Sequence, residues 1–206
     1  MPTNTLYEDG EKVSHWIAHS LRHNKHFIHL NKMTGWCNLK ALYDYLRIPF
    51  EWLYFISIIQ RLVNPVDAKT KVRYQLNSTG LPEKWEIRAL QGHSIKTIII
   101  DDHIPVTDAD RNILLIHGTP NRYIESIRNE GLKKFRNDIH FVPVGAPTMM
   151  THLRDRNAGA FLYITVGVLL DNGFSVFRSP NNVYLVREDC IPYDLMWELG
   201  TPPWEL

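Results

Sequence analysis

The hydrophobic period of this chain changes once, and the change limits what each part can fold into. In the first third, apolar residues recur at helical spacing. Lys12 to His23 places Val13, Trp16, Ile17 and Leu21 on one helical face. Asn38 is suited to cap a second helix carrying Leu39, Leu42, Tyr43 and Leu46. Pro49 opens a third, striped by Trp52, Phe55, Ile56 and Ile59, which Asn64-Pro65 ends. The spacing then shortens to two: Lys71 to Leu76 alternates as a strand, and the polar stretch from Asn77 to Lys84 connects it to another beginning at Trp85. Three short helices and a hairpin are the pattern of a helix-turn-helix or winged-helix module. Ile95 to Ile100 reads as a further strand, and the acidic, proline-containing Asp101 to Arg111 as a linker.

Beyond the linker the apolar runs are strand-sized: Ile113–Ile116, Ile139–Val142, Phe161–Val166, Phe174–Phe177 and Val183–Val186. One helix stands out among them, with Thr119 as its cap, Pro120 in its first turn, Ile124 and Ile127 facing inward and Gly131 closing it. Met149 to Arg154 reads as another short helix. The expected fold class is therefore α+β, with a winged-helix-like lobe over residues 1–100, a linker over 101–111 and a second lobe of short strands with few helices over 112–206.

With 206 residues, 44% of them hydrophobic, the chain can build one large core or two small ones. A net charge of +1 gives no global case for nucleic-acid binding, so any RNA or phosphate site has to be a local cluster. The two cysteines, Cys37 and Cys190, lie far apart, which suggests a reducing, intracellular compartment and offers no zinc framework. His23, His26 and His29 recur every third residue, but the segment lacks a carboxylate or thiolate at ligand spacing, and no metal is expected. Met1 to Gly10 is polar, without the apolar core of a signal peptide, and no run is long enough to span a membrane. The expectation is a cytoplasmic enzyme, or a nuclear one in a eukaryote.

Four stretches carry chemistry. In Trp85 to Ser94, Trp85, Ile87 and Ala89 alternate with Glu86, Arg88 and Leu90, which puts Arg88 opposite the apolar face of a strand. Gly92 then allows a sharp turn crowded by Gln91, His93 and Ser94. A guanidinium held there suits a phosphate or carboxylate, which it binds as a fork. His117-Gly118-Thr119 sits where a strand meets a helix, where glycine permits close backbone approach and the threonine hydroxyl meets an anion or ribose. Extended backbone over Phe135 to His140 would set Arg136, Asp138 and His140 on one face, against Ile139 and Phe141. Ser179 to Leu185 is a polar turn entering a strand. A dinucleotide Gly-x-Gly-x-x-Gly, a Walker loop and a serine-hydrolase elbow are all absent.

Taken in order, these pieces resemble the NAD-dependent RNA 2′-phosphotransferases, the tRNA-splicing phosphotransferase family. The likeness runs from about Val13 to Leu195 and includes Leu21-Arg22-His23, Gly35-Trp36, Lys71-x-Arg73-Tyr74 and Ile87-Arg88-Ala89-x-Gln91-Gly92-His93-Ser94. It continues through His117-Gly118-Thr119, Gly131-Leu132, Arg136-x-x-Ile139-His140, Ser179-x-Asn181-x-Val183-x-Leu185 and Ile191-Pro192. The resemblance implies a winged-helix lobe followed by a lobe of the ADP-ribosyltransferase type. It implies an Arg-His-Arg-Arg catalytic set at Arg22, His23, Arg88 and Arg136, with Gln91, His93 and Ser94 beside the RNA phosphate. His117, Gly118, Thr119, His140, Ser179 and Asn181 would then belong to the NAD-binding side. The implied substrates are NAD and an RNA carrying a 2′-phosphate, with no metal, no membrane and a monomeric enzyme.

Two departures from the family pattern stand out. The family reads Arg-x-His-hydrophobic-His where this chain has Arg136-Asn137-Asp138-Ile139-His140, and Tyr184 replaces a tryptophan. Asp138 would either orient Arg136 by pairing with it or blunt the positive field that a phosphate needs. The rival readings are an ADP-ribosyltransferase acting on nucleic-acid phosphate ends or another acceptor, and a non-catalytic RNA- or nucleotide-binding module. A helix-turn-helix DNA regulator is weaker, because the helices lack a strong basic face.

Overall fold

The computed structural model describes residues 3–155 and 157–199. Residues 1, 2, 156 and 200–206, which include the outer ends of both expected lobes, lie outside the described residues. The chain divides into two units, one formed by Met1–Asp67 and Val72–Asp101, the other by Ala68–Lys71 and Asp102–Leu206. Each is a mixture of helices and antiparallel sheet, the α+β class.

In the first unit, helices α1 (Thr3–Arg22), α2 (Leu39–Leu46) and α3 (Trp52–Val63) accompany strands β1 (Cys37–Asn38), β2 (Tyr74–Asn77) and β3 (Glu86–Ala89), paired in the order β1-β3-β2. Val13, Ile17 and Leu21 of α1 pack with Leu39, Leu42, Phe55, Ile58 and Ile59 against Tyr74, Ile87 and Ala89 of the sheet. Asn38 caps α2 as its sequence position suggests, its Oδ1 accepting from the Ala41 amide at 2.9 Å. α1 begins well before Lys12: Asp9 and Gly10 are buried, and Tyr54 of α3 donates to Asp9 Oδ2 at 3.0 Å. That polar contact gives no apolar period to read.

Ile95 to Ile100 is not a strand. It turns on a bond from the Ile98 amide to the Ile95 carbonyl, and buries Ile98 and Ile100 in the core while Ile99 faces out. Its β-branched residues fill space instead of pairing in a ladder.

The second unit is built on a seven-stranded sheet in the order β12-β8-β5-β7-β10-β9-β4, every pair antiparallel. Its strands are β4 (Ile104–Pro105), β5 (Leu114–Thr119), β7 (Ile139–Pro143), β8 (Ala160–Thr165), β9 (Val176–Arg178), β10 (Tyr184–Val186) and β12 (Trp197–Leu199). A separate ribbon pairs β6 (Leu132–Lys133) with β11 (Cys190–Ile191). Helices α4 (Ile124–Glu130), α5 (Met149–Asp155) and α6 (Val166–Asp171) complete it.

One face of the large sheet packs Leu115, Phe141, Leu162, Ile164 and Tyr184; the other packs Ile116, Val142, Phe161, Tyr163 and Leu185 with Met149 and Leu153 of α5. Burial on both faces is why Phe161 to Ile164 is a continuous apolar run without alternation. The segment 101–111 carries β4 and a 3-10 turn at Asp108–Asp110, where Arg111 bridges Asp108 and Asp171 at 3.0 and 2.5 Å. Thr119 does not cap a helix: it is the buried last residue of β5, and α4 follows Pro120 through a 3-10 turn at Asn121–Tyr123.

Candidate active site

In the first unit, Arg22 is the last residue of α1 and His23 follows it at once. The glycine turn after β3 docks on this helix end. Gly92 takes the left-handed φ of 80° that the sharp turn requires, and the Ser94 amide donates to the Arg22 carbonyl at 2.9 Å. The Ser94 hydroxyl also donates to that carbonyl, at 3.3 Å, and lies 3.1 Å from His23 Nδ1. When the one Ser94 proton goes to that carbonyl, Nδ1 of His23 donates to the Ser94 oxygen and Nε2 is the accepting nitrogen of the neutral ring. Gln91 and His93 are buried behind the turn, whereas Ser94 is exposed. Gly35 has φ of 75°, and a Cβ there would stand 3.2 Å from Ile98 Cγ2 and in ordinary contact, at 3.5 Å, with His93 Nε2.

Arg88 does lie opposite the apolar face of its strand, yet it is only 2% exposed. Register explains the first half of its surroundings: Gln75 of β2 is its cross-strand partner, and Gln75 Oε1 accepts from Arg88 Nε at 2.7 Å. The cation sits over the Trp36 ring, with Cζ 4.5 Å from its centre. Nη1 donates to Asp101 Oδ1 at 2.7 Å. The guanidinium is thus met by a ring, a neutral amide and a carboxylate. Gln75, Trp36 and Asp101 were not among the expected site residues. Gln75 was recoverable by counting register back from Arg88, but Asp101 stands in a stretch whose composition reads as linker.

In the second unit, His117 of β5 and His140 of β7 come from adjacent strands. The His117 Nδ1 bonds the His140 carbonyl at 2.8 Å, and the ring meets Phe141 edge-on with 5.7 Å between centroids. A carbonyl only accepts, so Nδ1 carries the proton and Nε2 is an acceptor, suited to a hydroxyl such as that of a ribose. Thr119 is buried two residues along the same strand. Gly118 is needed for a reason other than ligand approach: a Cβ would stand 2.6 Å from Leu153 Cδ2 and 2.7 Å from Ala158 Cβ, on the face that α5 covers.

Phe135 to Asp138 is a series of bends, and β7 begins only at Ile139, so Arg136 and Asp138 do not share a strand face. Arg136 is exposed. Asp138 turns inward, 3.9 Å from the Nε of Arg187, whose guanidinium stacks 3.7 Å over Phe177. Burial raises the Asp138 pKa, and the charges of His103, Arg187 and Lys134 oppose that rise. The carboxylate that the sequence sets beside Arg136 is therefore answered by other cations.

Register separates the remaining residues along β7. β5 brings Thr119 toward the Ile139 end, where Arg136 enters. The turn between β9 and β10 lies at the Pro143 end. There the Ser179 hydroxyl bonds Asn181 Oδ1 at 2.7 Å and the Val183 carbonyl at 3.0 Å, with Asn182 left-handed at φ 58°. Ser179 and Asn181 thus build the hairpin itself. Among the described residues no group of three or more His, Cys, Asp or Glu could hold a metal ion, and no helix is long and apolar enough to cross a membrane.

Residues 8–188 match the family model described as RNA 2′-phosphotransferase, Tpt1 / KptA family. The chain is similar to a probable RNA 2′-phosphotransferase of Fusobacterium nucleatum, 28% identical over 188 residues that cover 90% of this chain and 96% of that protein. It is also similar to proteins of the same description from Acaryochloris marina, 30% identical over 84% of this chain and 89% of that one, and Thermococcus kodakarensis, 27% identical over 89% and 96%. This chain belongs to the RNA 2′-phosphotransferase family of Tpt1 and KptA.

Proposed function

We propose that this protein removes an internal 2′-phosphate from RNA, of the kind left at a tRNA splice junction, by transferring it to NAD. The observation that carries the reading is the docking of the Arg22-His23 helix end onto the turn that follows Arg88, within a chain matching the family over residues 8–188. In the first step a 2′-phosphate oxygen bonds to C1″ of the nicotinamide ribose as the bond to nicotinamide breaks. Nicotinamide leaves neutral, so this step needs position more than acid. In the second, the ribose 2″-hydroxyl oxygen bonds to phosphorus as the bond to the RNA 2′-oxygen breaks. The hydroxyl proton ends on that 2′-oxygen, and ADP-ribose 1″,2″-cyclic phosphate is released.

Arg22, Arg88 and Arg136 stabilise the negative charge gathered on phosphorus, and His23 moves the proton through Nε2. Gln91 and His93 support the phosphate-side turn from behind, and Ser94 orients His23 and faces the RNA. His117, through its accepting Nε2, and Thr119 hold the NAD ribose, with His140 fixing the His117 ring through its carbonyl. Gly118 lets that strand pack, and Ser179 and Asn181 shape the hairpin on the NAD side. The first unit plays the part of a winged helix and the second that of an ADP-ribosyltransferase lobe. The enzyme works as an intracellular monomer without a metal.

An ADP-ribosyltransferase that halts after the first step was suggested by Asp138. Its pairing with Arg187 removes the reason to prefer that reading. Incubation with NAD and a short RNA carrying one internal 2′-phosphate tests the assignment. Dephosphorylated RNA and ADP-ribose cyclic phosphate are expected, and Arg136→Ala lowers the rate by about a hundred- to a thousandfold. An accumulating ADP-ribosylated RNA would favour the halted reaction, and absence of NAD turnover would favour a binding module.

A further inference from the structure

We infer that Asp101 is an exchangeable counter-ion for Arg88, holding the guanidinium in its binding pose and giving it up to the RNA 2′-phosphate. The inference rests on the phosphotransferase reading for the identity of the incoming anion. A guanidinium that is 2% exposed needs a counter-charge, since an uncompensated buried cation is strongly destabilising. Gln75 and Trp36 satisfy its Nε edge and its face without adding charge. The negative charge comes from Asp101, at 2.7 Å, and the two partners differ sharply in exposure: the Asp101 side chain is 78% exposed against 2% for Arg88.

That asymmetry separates two roles. Gln75 and Trp36 fix the plane of the cation from within the sheet and the preceding loop, and stay with it whatever binds. Asp101 meets Arg88 from the solvent side, in a turn outside any ladder, and its side chain stays 78% exposed, so its carboxylate is already largely hydrated while it pairs. An anion approaching from solvent arrives where that carboxylate stands. A phosphate dianion carries twice the charge and offers oxygens to the same fork, so it can replace the carboxylate without leaving the cation unpaired at any stage. The arrangement keeps Arg88 ordered without substrate, at the cost of a competing anion.

Initial rates with NAD and the 2′-phosphorylated oligonucleotide are to be compared for wild type, Asp101→Asn and Asp101→Glu. The asparagine keeps the shape and removes the competing charge. It should lower the RNA KM by about three- to fivefold, because the phosphate no longer has to displace a carboxylate, with kcat held within about twofold, while the denaturant midpoint of the substrate-free enzyme falls because Arg88 loses that counter-charge. Asp101→Glu should stay near wild type, and the advantage of the asparagine should shrink at about 0.5 M salt. A fall in kcat with KM unchanged or raised would overturn the inference, because Asp101 would then be a support that Arg88 needs during the reaction. If wild type does not turn over this RNA, the phosphotransferase reading fails separately. Calorimetry with inorganic phosphate then decides the exchange: tighter binding by Asp101→Asn, lost in Arg88→Gln, upholds it, and equal affinity for wild type and Asp101→Asn refutes it.

Discussion

Replacing Gly118 with alanine separates two explanations of one glycine. If it is there to let a ligand approach the backbone, a methyl group should harm binding and leave folding alone. The structure points the other way, because the added Cβ would lie 2.6 Å from Leu153 Cδ2 and 2.7 Å from Ala158 Cβ. Leu153 is 2% exposed and has little room to rotate away. The Ala158 Cβ moves only with its backbone, which is tied by the bond from its amide to the Leu153 carbonyl at 3.2 Å. Leu153 and the backbone at Ala158 therefore have to shift from the sheet, and overpacking of this kind costs about 1–3 kcal/mol. In a protein of this size that lowers Tm by roughly 2–4 °C for each kcal/mol. Denaturant and thermal unfolding of wild type and Gly118→Ala measure it directly. Unchanged stability together with a raised KM for NAD would refute the packing account and return Gly118 to direct ligand contact.

Asp138 and Cys37 give two further expectations. Burial raises the Asp138 pKa in the folded state, so the unfolded chain ionises first as pH rises, and stability falls as pH climbs from the ordinary aspartate range through the raised folded value. Asp138→Asn should therefore be more stable than wild type at neutral pH, with the gain vanishing below about pH 4; a pH series of denaturant midpoints showing a loss at pH 7 would mean that the Arg187 pairing outweighs burial. The Cys37 thiol is 1% exposed and its pKa is pushed up to about 12, chiefly by burial. Alkylation at pH 8, mapped by mass spectrometry, should modify Cys190 in the native protein and reach Cys37 only after unfolding; rapid native labelling of Cys37 would contradict its placement in the core.

What the sequence disclosed follows from which interactions are local. The three helices announce themselves through period, because each buries a face against one core, and the strands at Ile139, Phe161 and Val183 through short apolar runs, because the sheet is covered on both faces. Arg22, His23 and Arg88 were readable as a set only by resemblance, since a turn that closes onto a helix end far away in the chain leaves no local pattern. The reading of Phe135 to His140 as extended missed the bends. Asp138 lies instead near Arg187, a residue that no spacing rule connects to it. Ile95 to Ile100 misled for the opposite reason: its strand-forming residues serve as a plug, and β propensity records a preference for packed surfaces more than for a ladder.

The hydrogen bonds from Ser94 to the Arg22 carbonyl span 72 residues of chain. Closing so long a loop carries an entropic penalty that local helix formation does not meet, so this contact belongs late in folding. During synthesis α1 can form as soon as it emerges, but its Arg22-His23 end has no turn to dock on until residue 94 has been made. A ribosome-bound chain that stops short of Ser94 would carry the first two members of the expected catalytic set without the partner that orients them.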